Sequence, residues 1–359
     1  MSSTILRNVE TPPPPSGKPF STSQLGQFRK RLLSWYDLHR RDLPWRATRD
    51  PYRVWLSEIM LQQTRVAAVI GHYHEFLRRF PTIENLAAAR EASVLAAWSG
   101  LGYYRRARML HTAAKTVVRE YGGKFPADSA ALRELPGIGR YTAAAVASIA
   151  FGEAVSVVDG NVERVLQRLS LGPISGEELW QAATGLLDPK RPGDFNQAMM
   201  ELGATVCTPR VPGCVTCPIR QLCSTRGELA ALPNVIRQKK LVIHYALSYR
   251  KLDYRKRKGG GGEVFLTRRS PDMSLMPCMW ELPELRQVKR NQTPVFTLRH
   301  SITVTDYTVQ VWREATPAAS DGGKWIPARS LGRLPLTGLA LKILRKAEVL
   351  GKRNGADHT

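Results

Sequence analysis

The chain has 359 residues, with 53 Lys and Arg against 30 Asp and Glu, for a formal net charge of +23. That length holds two domains, each able to bury its own core. The charge asks for a polyanionic partner. Nucleic acid fits better than a membrane, because no apolar run approaches the roughly 18 residues of a spanning helix. Residues 1–20 carry a four-proline run and no apolar segment of a secretion signal, so a disordered tail is expected there. Five cysteines, four of them between positions 207 and 223, suit a metal site in a reducing compartment better than disulfides. A cytoplasmic location is expected on that ground.

In chain order, Ser21 to His39 carries a helical apolar stripe of Leu25, Phe28, Leu32, Leu33, Trp35 and Tyr36. An Arg- and Trp-rich stretch follows, broken by Pro44 and Pro51, and predicts a loop before a helix from about Tyr52 to Ile70. Glu58 lies on that helix. A carboxylate there is ordinarily a solvated face or a local ion pair. Its neighbours at i−3 and i+3 are Trp55 and Leu61, however, and those fit a half-buried carboxyl with a raised pKa. Short helices continue to about Met200. Among them, Gly100-Leu101-Gly102-Tyr103-Tyr104-Arg105-Arg106 couples a flexible backbone with aromatics and cations. That mix suits insertion into a base stack, and equally a buried Tyr pair beside a surface Arg pair.

The stretch Leu135 to Glu163 is the most informative. Pro136, Gly137 and Gly139 make a tight turn, and an Ala-rich helix follows from Tyr141 to Ala150. Such a turn leaves backbone N–H groups free for a phosphate oxygen, or is simply a turn between two packed helices. The apolar run Ala154 to Val158 then delivers Asp159 at the start of a helix over Asn161 to Leu169. The first 225 residues read as all-α.

Next comes Cys207-x6-Cys214-x2-Cys217-x5-Cys223. Zinc favours two short knuckles, and this cluster has one. Arg210, Arg220 and Arg226 give the loop positive charge. A linker is expected over 227–240, and then the texture changes. Strands are predicted over Leu241–Tyr249, Glu263–Arg269, Trp280–Leu285, Val295–Thr305 and Tyr307–Glu314, with a closing helix over Leu336–Leu350. The basic run Arg250 to Lys258 ends in Gly259–Gly262 and reads as a hairpin tip. Cys278 is expected to be an unpaired thiol, and residues 351–359 a tail.

WLSEIMLQQT, GLGYY, LPGIGRYTA, VDGNVERV, FNQAMMELGA and the four-cysteine loop together resemble the catalytic half of the adenine DNA glycosylase (MutY) family, in the endonuclease III superfamily. The C-terminal part resembles that family's Nudix-like domain, without a Nudix hydrolase box. The resemblance implies a multi-domain fold. An all-α helix-hairpin-helix glycosylase domain with an iron–sulfur cluster loop would occupy 21–226, and an α+β Nudix-like domain 241–350. It implies a 4Fe–4S cluster on Cys207, Cys214, Cys217 and Cys223, and a monomer acting on double-stranded DNA that carries A opposite 8-oxoguanine or G.

Roles follow by resemblance too. Glu58 would protonate adenine at N7, and Asp159 would face the oxocarbenium-like sugar. Such paired carboxyls in unlike environments suit glycoside cleavage. Asn161 and Tyr141 would orient that site. Arg41, Arg46 and Glu201 would supply polar groups of the adenine pocket, with Trp45, Leu61 and Val66 as apolar walls. Gln63 and Tyr103 would fill the stack vacated by the flipped nucleotide, while Gly137 and Gly139 hold the backbone. Endonuclease III relatives carry a Lys where Tyr141 stands. A phenol forms no imine, so a monofunctional glycosylase is expected. The family reads 8-oxoguanine with a Phe-Ser-His loop. Aligning Leu298-Arg299-His300-Ser301 before it puts Ile302, Thr303 and Val304 in its place. Thr303 keeps the hydroxyl and the imidazole is missing; a shifted register would use His300 and Ser301 instead. The competing readings are an endonuclease III-like lyase on oxidised pyrimidines and a non-catalytic binder of damaged DNA.

Overall fold

The computed structural model describes residues 20–169, 174–227, 239–250, 262–273, 275–288, 292–302, 305–313 and 323–350. Its helices, in chain order, are α1 Thr22–His39, α2 Pro51–Leu61, α3 Val66–Arg79, α4 Ile83–Ala88, α5 Glu91–Trp98, α6 Tyr104–Tyr121, α7 Ser129–Arg133, α8 Arg140–Val146, α9 Gly160–Leu169, α10 Glu177–Leu186, α11 Pro192–Thr205 and α12 Gly338–Lys346. The strands are β1 Lys239–Leu247, β2 Tyr249–Arg250, β3 Glu263–Arg268, β4 Trp280–Glu281, β5 Phe296–Ile302, β6 Thr305–Arg313 and β7 Lys324–Pro327. No strand occurs among the described residues before position 239, so the first part is all-α as the periodicity predicts.

The chain divides into two compact units that are not sequential. One holds Met1–Glu58 and Phe125–Leu232, the other Ile59–Lys124 and Pro233–Thr359. The division falls inside α2, so the helical region expected over 21–226 contributes to both.

In the first unit, a capping box starts α1: the Ser21 hydroxyl accepts from Gln24 N, and the Gln24 side chain accepts from Ser21 N. Asp50 caps α2 with its side chain alone, accepting from Arg53 N at 2.8 Å. The core is apolar and continuous, with Phe28, Leu32 and Tyr36 of α1 against Val162 and Leu166 of α9 and Phe195, Met199 and Leu202 of α11. The hairpin α7–turn–α8 closes through Ile138 N on Leu135 O, with Gly137 at φ +76°. The Ala-rich helix is shorter than predicted. It ends at Val146 and widens into a π turn over Ala147–Phe151. The widening coincides with the closest crossing of α11, where a Cβ on Gly193 would lie 2.6 Å from Ser148 O.

In the second unit, α4 and α5 pack on α6. The helix predicted over Tyr52–Ile70 is two helices, broken at residues 62–65, where Gln63 has φ +54°. The β region is α+β. Strand β6 runs parallel to β1 and antiparallel to β5, while β3 pairs antiparallel with β2, β4 and β7. The strand predicted over Trp280–Leu285 shrinks to two residues plus a bridge from Glu284 to Tyr245, and β7 is an addition. The closing helix α12 starts later than predicted, because the Thr337 hydroxyl caps Ala340 N at 3.2 Å. Its apolar face joins Val264, Leu266, Val309 and Val311 in one core. The insert 251–261 lies outside the described residues.

Candidate active site

Helix α2 is buried from Val54 to Met60, with Val54, Trp55, Leu56, Ile59 and Met60 all in the core. Glu58 is carried inward with them and is 5% exposed. Removal from water disfavours its charged form and raises its pKa to about 7. Asp159 pushes in the same direction, and a hydrogen bond from Tyr141 and the charge of Arg46 oppose. The Tyr141 hydroxyl donates to Glu58 Oε2 at 2.6 Å and also contacts Met200 Sδ at 3.3 Å. Burial, then the Glu58 and Asp159 charges, hold the phenol well above its ordinary pKa, so it stays a donor. The structure thus brings Glu58, Tyr141 and Asp159 into one electrostatic neighbourhood from α2, α8 and the start of α9.

Asp159 is the N-terminal cap of α9. Its Oδ1 accepts from Asn161 N at 3.0 Å and Val162 N at 2.7 Å, while Oδ2 accepts from Asn161 Nδ2 at 2.9 Å. Asn161 is in turn held by Arg164, whose Nη2 donates to Asn161 Oδ1 at 2.8 Å and to Gly203 O at 2.7 Å. Arg164 Nε also reaches Cys207 O at 2.8 Å. Sequence reasoning missed Arg164. The available signal was its place one helical turn beyond Asn161, on the same face of α9.

Arg41, Arg46 and Glu201 converge on one another. Glu201 is 1% exposed, and Arg41 forks onto both its oxygens at 2.7 Å each, while Arg46 Nη2 adds a third contact at 2.7 Å. Burial would raise the Glu201 pKa, but the two guanidinium groups override it and bring it down to about 2. Trp45 is buried in the turn Pro44–Arg46, and Arg46 stacks over the Tyr36 ring at 5.4 Å. Leu61 and Val66 belong to the second unit, as the last residue of α2 and the first of α3.

Gly137 and Gly139 form the expected turn, with Gly139 the N-cap of α8. Tyr103 stands out, 48% exposed. Its neighbour Tyr104 is buried and donates to Leu336 O at 2.9 Å, so the tyrosine pair splits between the two readings. His300 and Ser301 lie on β5. Burial, with Lys342 nearby, lowers the His300 pKa. The Ser301 hydroxyl is engaged by Asp306 Oδ1 at 2.5 Å. Thr303 lies outside the described residues.

The four cysteines ring one cavity of about 30 Å³. Arg168, buried and missed by the sequence reading, points its Nη1 at Cys207 Sγ, 3.2 Å away, and has no carboxylate partner among the described residues. The guanidinium also donates to Thr208 O at 2.9 Å and Pro209 O at 3.0 Å, which fixes it against the cysteine loop, where a cation beside the sulfurs fits an anionic centre. Among the described residues no three His, Cys, Asp or Glu groups are arranged to hold one metal ion.

Residues 56–184 match the HhH-GPD superfamily of base excision DNA repair proteins. The chain is 51% identical over 227 residues to the adenine DNA glycosylase of Mus musculus, covering 58% of this chain and 44% of that protein. It is 40% identical over 326 residues to the adenine DNA glycosylase of Arabidopsis thaliana, covering 79% of this chain and 51% of the other. The chain therefore spans about half the length of the curated relatives it matches. Among solved structures, a thermostable thymine-DNA glycosylase superposes with a TM-score of 0.54 at 32% identity, over 58% of this chain and 98% of that one. By sequence and fold the chain belongs to the adenine DNA glycosylase (MutY) family, within the HhH-GPD superfamily of base excision DNA repair proteins.

Proposed function

We propose that the chain is a monofunctional DNA glycosylase that flips adenine out of double-stranded DNA, where it lies opposite 8-oxoguanine or guanine, and cleaves its N-glycosidic bond. The observation that carries this reading is the buried Glu58 carboxyl with a pKa of about 7, held by Tyr141 beside the capped Asp159. Adenine leaves poorly as an anion, so its departure needs a proton donor poised near neutral pH. Tyr141 occupies Glu58 Oε2 and leaves Oε1 to carry that proton. Asp159, fixed by three donors, supplies the negative charge toward which a sugar cation develops. The Glu201–Arg41–Arg46 group then acts from behind, fixing the 41–46 segment as a pocket wall.

We also infer a 4Fe–4S cluster on Cys207, Cys214, Cys217 and Cys223. Four thiols line one cavity, and a single C-x2-C knuckle suits such a centre better than zinc. Bound there, it would fold the loop and present the loop's arginines to phosphates. The C-terminal part would act as the reader of the opposite base. A monomer acting in the cytoplasm completes the reading.

The test is base release from duplexes holding A opposite 8-oxoguanine, G, C or T, with borohydride trapping in parallel. Adenine release from the first two without a trapped adduct is the expected outcome. Strand cleavage of duplexes with oxidised pyrimidines, and none of A-containing ones, would favour the lyase reading instead. Purified protein should contain about four irons per chain.

A further inference from the structure

Gln63 and Tyr103 share an uncommon backbone state. Neither is glycine, yet their φ angles are +54° and +47°, and both side chains are exposed. Residues in this region cost free energy and persist only where their surroundings hold them. One side chain holds both. Arg106 Nη1 donates to the carbonyl oxygens of Ile59 at 2.7 Å, Met60 at 3.0 Å and Gln62 at 2.5 Å, which closes the end of α2. Its Nη2 donates to Thr64 Oγ1 at 3.1 Å and reaches Leu101 O at 3.4 Å and Gly102 O at 3.5 Å. The guanidinium carbon also lies 5.4 Å from the ring centres of both Trp98 and Tyr103. No ion pair involves Arg106 among the described residues. Its charge is spent on carbonyl oxygens from two loops about forty residues apart in sequence.

We propose that Arg106 is a positioning residue that locks the Gln63 turn and the Tyr103 loop into one two-pronged unit, so that both prongs enter the base stack together. The proposal rests on the reading of Gln63 and Tyr103 as the residues that fill the vacated stack. The planar fork of donors is what the arrangement requires. A lysine ammonium keeps the charge but has three donors on one atom, and it cannot serve both loops in this geometry.

The decisive variant is Arg106→Lys, with Arg106→Met beside it. Hydrogen exchange of the free protein is the first measurement. In the Lys variant, amides of residues 61–65 and of 99–104 should lose protection together, by about tenfold or more, while those of 135–141 keep theirs. Loss in one segment alone, or in neither, would overturn the proposal. The second measurement is DNA affinity for Gln63→Ala, Tyr103→Ala and the double variant. Their effects should be coupled in the parent and additive in the Arg106→Lys background. Additive effects in the parent also overturn it. If Arg106→Met fails to fold, the Lys variant carries the test alone. Neither measurement uses adenine release, so a parent that releases no adenine would refute the proposed activity and leave this result standing.

Discussion

Glu58 is a carboxyl that folding pushes toward its neutral form, and the consequence can be read in stability as well as in rate. Its pKa rises from 4.5 to about 7 on burial. A raised folded pKa favours the native state fully below the unfolded value, and that contribution is lost as pH climbs from about 4.5 through 7. Glu58→Gln removes the titration and keeps the volume. The variant should therefore gain stability over the parent as pH rises, little at pH 5 and at most about 3 kcal/mol at pH 8. Thermal melts across that range check it, and a Gln variant less stable than the parent at pH 8 contradicts the buried-acid account. Adenine release should fall about 10²–10⁴-fold or more in the variant, and in the parent should decline as pH passes 7. Asp159→Asn is the companion experiment. Asparagine is an adequate helix cap, but here its amide would face Asn161 Nδ2, and Arg164 prevents Asn161 from turning over. A folded protein about 1 kcal/mol less stable, with abolished excision, is expected. Retained excision would leave Asp159 as a cap and nothing more.

Helices α9 and α11 meet at a point where no side chain fits. A Cβ on Gly203 would lie 2.6 Å from Asn161 Cβ and 2.8 Å from Asn161 O, so α11 presses directly on the turn that carries Asp159. Gly203→Ala gains helix propensity yet must push backbone apart. It should cost about 1–3 kcal/mol and slow excision, because the displaced Asn161 drags Asp159 with it. Chemical denaturation with single-turnover kinetics separates the two effects; a stable, fully active Ala variant would show the contact to be loose. None of this contact was visible in the sequence, where Gly203 sits inside an unremarkable helix. The neighbours of Glu58 did announce its burial, since apolar residues one turn away on both sides are a local signal. The end of α2 at Leu61 was not announced. The helical pattern runs on through Gln62 and Gln63, and the break is stabilised by Arg106, more than forty residues later. Likewise nothing local marks Arg164 and Arg168, whose contacts to Cys207 come from a segment about forty residues further on. Local periodicity gave most elements; contacts between distant segments decided where they stop. Strand β7 was missed for a simpler reason, being four residues long with too little alternation to register.

On the proposed function, a net charge of +23 would hold any duplex through its phosphates, so charge would supply affinity without choosing a site. Adenine is an undamaged base, and its excision is useful only opposite the right partner. Discrimination must therefore come from contact with the opposite base. 8-Oxoguanine differs from guanine by a carbonyl at C8 and an N–H donor at N7, which a hydroxyl can accept. Two hydroxyls are candidates, Ser301 on β5 and Thr303 two positions later in the sequence. Ser301 is already committed, donating to Asp306 across the β5–β6 pair at the register where the two residues face each other. A hydroxyl that donates to a carboxylate can still accept, but it is pinned to the hairpin. Thr303, two residues further along the sequence, is the hydroxyl that the alignment of Leu298-Arg299-His300-Ser301 sets against the Ser of the family's Phe-Ser-His loop. Thr303→Ala should thus narrow the ratio of single-turnover rates on 8-oxoguanine:A and G:A duplexes, by about five- to a hundredfold for a contact worth about 1–3 kcal/mol. Ser301→Ala should leave the ratio unchanged and cost only the hairpin contact, about 0.5–1.5 kcal/mol. If the Ser301 change narrows the ratio and the Thr303 change does not, the register is shifted by two and His300 stands beside the reader. If neither moves it, the opposite base is read by another part of the chain.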